Sequence, residues 1–151
     1  YMQQAGVKAL ARSSNRDAVT CFEQTLNALH HLPETRERLE QAIDLRFDLR
    51  NSLFPLGEFD RVFGCLREAE ELARRLDDQR RLGQLNVYMC HNLWITGHPM
   101  EALEFGQRAQ TLAESLGDVP LRVTANLYLG ATCIRKPGAA LHSQMAPPAS
   151  L

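Results

Sequence analysis

The chain has 151 residues, of which 44% are hydrophobic and 23% charged, and its formal net charge is −1. A chain of this length can form one domain with its own core. The near-neutral charge argues against nucleic-acid binding through a broad basic surface, and no apolar run approaches the ~18 residues that a membrane-spanning helix needs.

Helical periodicity begins near the start of the chain, and strand-like alternation is absent from the sequence. Apolar residues recur at steps of three and four from Ala18 to Leu32, after Ser13-Ser14, which is typical of a helix N-terminal region. A second helix follows Pro33. It is apolar on more than one side, so we expect it to lie between two neighbouring helices.

Breaks that contain glycine, proline or aspartate separate the later helices: PLGEF, LDDQRR, TGHP and GDVP. The pattern predicts about seven helices joined by turns of two to five residues, which makes consecutive helices antiparallel. Residues 1–134 are therefore predicted to form one all-α domain. Residues 135–151 are rich in Pro, Ala, Gly and Ser and are expected to be a flexible or irregular tail.

An internal repeat is the strongest signal. Residues 56–78, LGEFDRVFGCLREAEELARRLDD, align with residues 96–118, TGHPMEALEFGQRAQTLAESLGD, so that Gly57 matches Gly97 and Asp78 matches Asp118. A helix pair cannot bury both of its faces alone, so such pairs stack on one another. The sequence therefore predicts an antiparallel helix-pair solenoid with about three repeats and the first helix of a fourth.

The pattern resembles tetratricopeptide repeats. The resemblance is carried by LYLG at 127–130, by GEF at 57–59 and by Ala18 and Phe22, whereas Pro99 and Gly106 depart from it. AGVKALARSSNRDAV and LPETRERLEQAIDLRFDLRNSLFPLGEF further resemble the helical-repeat region after the ATPase module of large bacterial nucleotide-cyclase-type or regulator-type signalling proteins. Because the chain begins at Tyr1, we expect a piece of a longer protein.

Cys90, His91 and His98 lie close together in the sequence. Adjacent helical residues point about 100° apart, and a zinc site normally takes four ligands, so no metal site is expected here. No cofactor site and no catalytic residue are predicted, and the chain is not expected to be an enzyme. The four cysteines, at 21, 65, 90 and 133, fall within apolar helical patterns, which predicts buried, reduced thiols and a cytoplasmic setting.

The resemblance implies a concave surface that binds other proteins. Its expected lining consists of Phe47, Asn51, Phe54, Val87, His91 and Trp94. Aromatic side chains anchor peptides, and an amide or imidazole binds the peptide backbone; the aromatics could equally belong to the core between repeats. The leading prediction is a non-catalytic scaffold for a protein, a peptide or another domain of its parent, with no nucleic-acid or membrane partner. The alternative is a domain that binds a small effector and regulates an attached ATPase or cyclase.

The last helix is expected to lack its partner, which leaves Leu127, Tyr128 and Ile134 short of cover. Solenoids need polar caps at their ends. We therefore expect that this end either forms a homodimer or is covered by the tail.

Overall fold

The computed structural model describes residues 2–134, and within that range the regular structure is helical, with no strand. The predicted fold class is confirmed, because helices pack against helices adjacent in the sequence. The α-helices are α1 (Met2–His30), α2 (Arg36–Leu53), α3 (Phe59–Arg75), α4 (Gln79–Ile95), α5 (Pro99–Leu116) and α6 (Val119–Ile134), with a 3-10 turn at Phe54–Leu56. The predicted tail, 135–151, lies outside the described residues.

The described chain has six α-helices rather than the seven predicted. Helix α1 has 29 residues and continues through Ser13-Ser14, which was expected to begin a helix. Both serines are exposed to solvent, and alanines, arginines and other good helix formers surround them. Serine is only slightly unfavourable inside such a helix, so the pair does not interrupt it.

The described residues divide into two compact units, one that ends at Arg81 and one that begins at Leu82. In the first unit α1 and α3 both pack on α2, and Ile43, Leu53, Val62 and Leu66 are fully buried. In the second unit α5 packs on α6. Val87 of α4 packs there with alanines of α5 and with Leu121 and Ala125 of α6.

The repeat of 40 residues is confirmed in the backbone. Gly57 and Gly97 both adopt the left-handed conformation, with φ of 73° and 87°. Gly117 and Asp77 form a second matching pair, with φ of 63° and 51°. Glycine adopts this conformation without steric cost, whereas aspartate is tolerated because its short polar side chain bonds locally.

Asp78 caps the start of α4 at the position that Asp118 takes before α6. Its Oδ1 accepts a hydrogen bond of 3.0 Å from the Arg81 amide, as Asp118 Oδ1 does from the Leu121 amide. Burial opposes ionisation of Asp78, but hydrogen bonds from the Arg81 backbone and side chain outweigh it and lower its pKa below the usual value. Arg81 also binds Asp44 of α2, with nitrogen–oxygen distances of 2.9 and 2.8 Å.

Gly106 marks a close approach of helices in the second unit. A Cβ at this position would lie 2.5 Å from Leu129 Cδ2, 2.8 Å from Leu129 Cγ and 3.2 Å from Cys90 Sγ. Gly64, in the middle of α3, would place a Cβ within 4 Å of nothing. Gly106 departs from the repeat pattern in the sequence, and in the structure it allows α5 to approach α4 and α6.

The pair of glycines gives a matched test of this packing. Gly106→Ala is expected to lower the free energy of unfolding by about 1–3 kcal/mol, because the new methyl group overpacks the contact with Leu129. Gly64→Ala is expected to raise it by about 0.5–1 kcal/mol through helix propensity alone. Urea denaturation measures both. Equal effects of the two substitutions would contradict the close approach at Gly106.

Candidate functional site

One candidate surface lies at the end of α2. Phe47, Asn51 and Phe54 follow one another at steps of four and three, which places them on one side of the helix. Asn51 is exposed, and the two phenylalanines are partly buried. The structure therefore brings these three predicted residues together within the first unit.

Arg50 completes this surface and was missed in the sequence. It is only 8% exposed, its guanidinium carbon lies 4.5 Å from the centre of the Phe54 ring, and its Nη1 donates a 3.0 Å hydrogen bond to Asn51 Oδ1. Phe54 also meets Phe59 edge-on, with ring centres 5.2 Å apart. The available signal was the spacing of four between Arg50 and Phe54, which suits a cation–aromatic contact on a helix.

These contacts orient the Asn51 amide. Because Oδ1 accepts the bond from Arg50, Nδ2 carries the donor hydrogens of this exposed side chain, which lies one helical turn before Phe54. Below, the Arg50–Asn51–Phe54 cluster denotes these three side chains. It combines an aromatic face with a pre-oriented hydrogen-bond donor.

Val87 does not belong to any binding surface, and its predicted role is wrong. It is 1% exposed and packs with Ala109, Ala113, Leu121 and Ala125. Alanines on α5 and α6 let both helices approach α4, and their approach encloses the valine. The sequence pattern placed Val87 on the same side of α4 as His91 and Trp94 but could not show that Val87 is covered.

His91 and Trp94, the other predicted residues of α4, are both partly buried. The His91 ring lies 4.6 Å from the Tyr128 ring of α6, centre to centre. Trp94 packs against Cys90, Leu93 and Ala102. Part of each side chain thus supports the second unit, as the core interpretation of the aromatics expected. Partner binding through the remaining exposed part stays a prediction, as it does for Phe47, Asn51 and Phe54.

The fold places the Cys and His side chains of this stretch in different environments. Cys90 is in the core, and His98 is exposed before α5, with its Nδ1 3.3 Å from Thr96 Oγ1. Among residues 2–134, no three His, Cys, Asp or Glu side chains are grouped to hold a metal ion. None of the helices in that range combines the length and apolarity needed to cross a membrane.

The cysteines divide into two classes, which corrects the prediction that all are buried. Cys65 and Cys90 are buried, whereas Cys21 and Cys133 are exposed. Burial raises the pKa of Cys65 to about 12. Burial also raises the pKa of Cys90, against the opposing effect of hydrogen bonds involving Thr132 and the Gly106 backbone. Both buried thiols are therefore poor nucleophiles at neutral pH.

A cavity of about 430 Å³ in the first unit was also missed in the sequence. We name it the leucine–arginine cavity. Residues of α1, α2, α3 and the α1–α2 connection line it, among them Leu26, Leu29, Leu39, Leu72, Arg38, Arg46, Arg75, His30 and Glu34. Arg75 pairs with Glu34 at 2.8 Å, and Arg46 pairs with Glu68 at 3.0 Å. Its lining comes from several segments of the chain, so no local spacing could indicate it.

The chain was compared with known proteins by sequence and by structure. It matches no protein-family model, no curated protein and no solved structure.

The division of the thiols is open to direct measurement. At pH 8 we expect Ellman's reagent to modify Cys21 and Cys133 rapidly, whereas Cys65 and Cys90 react only as the protein unfolds. The Cys21→Ser, Cys133→Ser double variant should lose the fast phase and keep the slow one. Rapid reaction of all four thiols in the folded chain would contradict the buried positions of Cys65 and Cys90.

Proposed function

We propose that this chain is a non-catalytic interaction module of tetratricopeptide type, within a larger bacterial signalling or regulatory protein. Its partner is a peptide segment of another protein or of its own parent chain. The observation that carries the proposal is the Arg50–Asn51–Phe54 cluster, in which one buried guanidinium group contacts the Phe54 ring and bonds to the exposed Asn51 amide.

The cluster has the chemistry that peptide recognition requires. A peptide carbonyl can accept from Asn51 Nδ2 while an apolar peptide side chain packs on the Phe54 ring. Because Arg50 already restrains both groups, little side-chain entropy is lost on binding. His91 and Trp94 offer a similar pairing of a polar ring with an aromatic one in the second unit.

Two further observations support this assignment. The buried positions and raised pKa values of Cys65 and Cys90 disfavour a thiolate nucleophile, which fits a non-catalytic role. All four cysteines are free thiols, which fits a reducing compartment, and we place the protein in the cytoplasm.

Asn51→Asp is the sharpest test, because it replaces the exposed amide donors by carboxylate oxygens of the same shape. Short peptides are first selected on the wild-type chain from a random displayed library, and their affinities are then measured by fluorescence anisotropy. We expect wild-type dissociation constants in the micromolar range. Asn51→Asp should weaken the selected peptides by about tenfold, since a hydrogen bond becomes a repulsion.

Gln41→Glu provides the matched control, because it makes the same chemical change at an exposed position of the same helix. It should leave the affinity within about twofold of wild type, well under the tenfold that 1.4 kcal/mol represents. If both variants lost affinity equally, the effect would come from charge alone. If neither lost affinity, Asn51 would not take part in binding.

The leucine–arginine cavity favours a second candidate, an effector-binding domain that regulates an attached ATPase or cyclase. Its volume of about 430 Å³ is within the usual range for small-molecule sites. Three arginines and one histidine line it against a single glutamate, beside a leucine surface. This lining suits a ligand with an apolar chain and an anionic end, such as a carboxylate.

Dodecanoate, below its micelle concentration, is a suitable probe of this second candidate. We expect calorimetry to detect dodecanoate binding about tenfold tighter than binding of dodecanol, which has the same chain without charge. Arg38→Gln should remove most of that difference, whereas Arg67→Gln, an exposed arginine of α3 outside the cavity, should preserve it. Equal binding of the alcohol and the acid would exclude an anionic effector of this type.

A further inference from the structure

Helix α6 has two apolar sides, and the other residues that the structure describes cover only one of them. The covered side includes Leu121 and Ala125, which pack into the core with Val87. The opposite side carries large hydrophobic residues at steps of four, four and seven, which places them in one stripe. This stripe, the outer face of α6, consists of Val119, Val123, Leu127 and Ile134, which are 55%, 61%, 68% and 85% exposed. Leu127 and Ile134 were expected to lack cover, and no side chain between residues 2 and 134 covers either of them, whereas Tyr128 packs on His91.

The outer face differs from ordinary solvent-exposed helix surface in its charge. Arg122 is the only charged residue in the whole of α6. The exposed Val7 and Leu10 of α1, by contrast, have Lys8 and Arg12 close by on the same helix. A stripe of four exposed hydrophobic residues on an almost uncharged helix is typical of a surface that another helix covers.

The repeat indicates which kind of surface this is. At the spacing of 40 residues, Leu127 corresponds to Val87, Gly130 to Cys90 and Ile134 to Trp94. These three residues of α4 pack with alanines of α5 or with Phe105 in the clusters of the second unit. The outer face of α6 therefore corresponds to the side of α4 that packs against the helix following it in the chain.

Gly130 lies within this face and has no evident role inside the described chain. A Cβ added there would meet nothing within 4 Å. Glycine in the middle of a helix weakens it relative to alanine, so its presence favours a use for the space. It leaves room for a large side chain from a second helix beside Leu127 and Ile134.

We propose that the outer face of α6 packs against the same face of a second copy of the chain, as an antiparallel pair with two-fold symmetry. A face without opposite charges to match suits its own copy, and two-fold pairing uses one surface twice. An axis through the midpoint of Val119–Ile134 places Val119 opposite Ile134 of the second copy. The same axis places Val123 opposite Gly130, where the missing side chain leaves room for it.

The area of the outer face sets the expected strength. Its four hydrophobic side chains expose on the order of 450 Å², so pairing buries about 900 Å² of apolar surface, near the ~1,000 Å² lower limit of specific interfaces. The flanking Pro120, Asn126 and Cys133 are also exposed and would add to the buried area. The dimer is therefore expected to have a dissociation constant in the micromolar range.

Sedimentation equilibrium of the full chain tests the proposal. Its mass should rise with concentration from 17.0 kDa towards twice that value. Leu127→Glu should weaken association at least tenfold, because pairing would bury two carboxylates near the axis. Leu10→Glu makes the same change at a 73% exposed leucine of α1 and should leave association unchanged.

Two further variants test the register. Gly130→Ala should raise the melting temperature of the monomer. It should nevertheless weaken the dimer, because the new methyl group meets Val123 of the second copy. In a Cys21→Ser background, Pro120→Cys should form an intermolecular disulfide with Cys133, while the same background with Pro120 intact should not. Ready disulfide formation between two Cys133 residues would indicate a parallel pair and overturn the proposed arrangement.

Other results would overturn the pairing itself. A chain that stays monomeric at every concentration would overturn it. If Leu127→Glu also destabilised that monomer, the outer face of α6 would be assigned to residues 135–151 of the same chain. Equal loss of association in Leu10→Glu and Leu127→Glu would show that any added charge suffices, and that α6 has no special part.

Discussion

A helix that is apolar on two sides must be covered twice, and this constraint shapes both units of the protein. In the first unit, α2 packs against α1 on one side and α3 on the other. In the second, α4 contributes Val87 and Cys90 to cores that include residues of α5 and α6. Alanine and glycine on α5 make this possible, because their small side chains let neighbouring helices approach. The same constraint leaves the outer face of α6 as the place where the pattern is incomplete.

The candidate peptide-binding surface depends on a charge that is almost enclosed. Arg50 is 8% exposed, yet its guanidinium group contacts the Phe54 ring and donates to Asn51. Moving a guanidinium group out of water is costly unless such contacts replace its hydration. The exposed amide is consequently held by a residue that contributes little surface of its own. A binding surface built in this way is pre-oriented before any partner arrives.

The two proposed surfaces bind through different physical interactions. The Arg50–Asn51–Phe54 cluster combines one aromatic face with directed hydrogen bonds, which select for peptide backbone. The outer face of α6 offers apolar area and shape, with the gap at Gly130 setting the register. Because the surfaces lie in separate units and on separate helices, binding of a peptide and pairing of two copies can be measured independently. Their coexistence would make the protein a bivalent scaffold, and bivalency raises effective affinity without new contacts.

The sequence by itself determined the helical class, the positions of most turns and the repeat of 40 residues. These depend on local properties: apolar spacing along a helix, the left-handed conformation at Gly57 and Gly97, and capping by Asp78 and Asp118. It failed at Ser13-Ser14, where the helix formers around the serines outweigh their preference for caps. The sequence also predicted that α6 lacks a partner helix, because this follows from counting the helices of the repeat.

Only the tertiary structure decided which side chains are covered. Val87 and His91 share one side of α4, yet Val87 is enclosed and His91 is partly exposed, because α5 and α6 approach closely at alanines distant in sequence. Cys21 and Cys65 likewise fall in similar apolar patterns, but only Cys65 is buried. The leucine–arginine cavity also arises between residues that local periodicity does not relate. Burial depends on how helices pack against one another, so the apolar periodicity of one helix does not predict it.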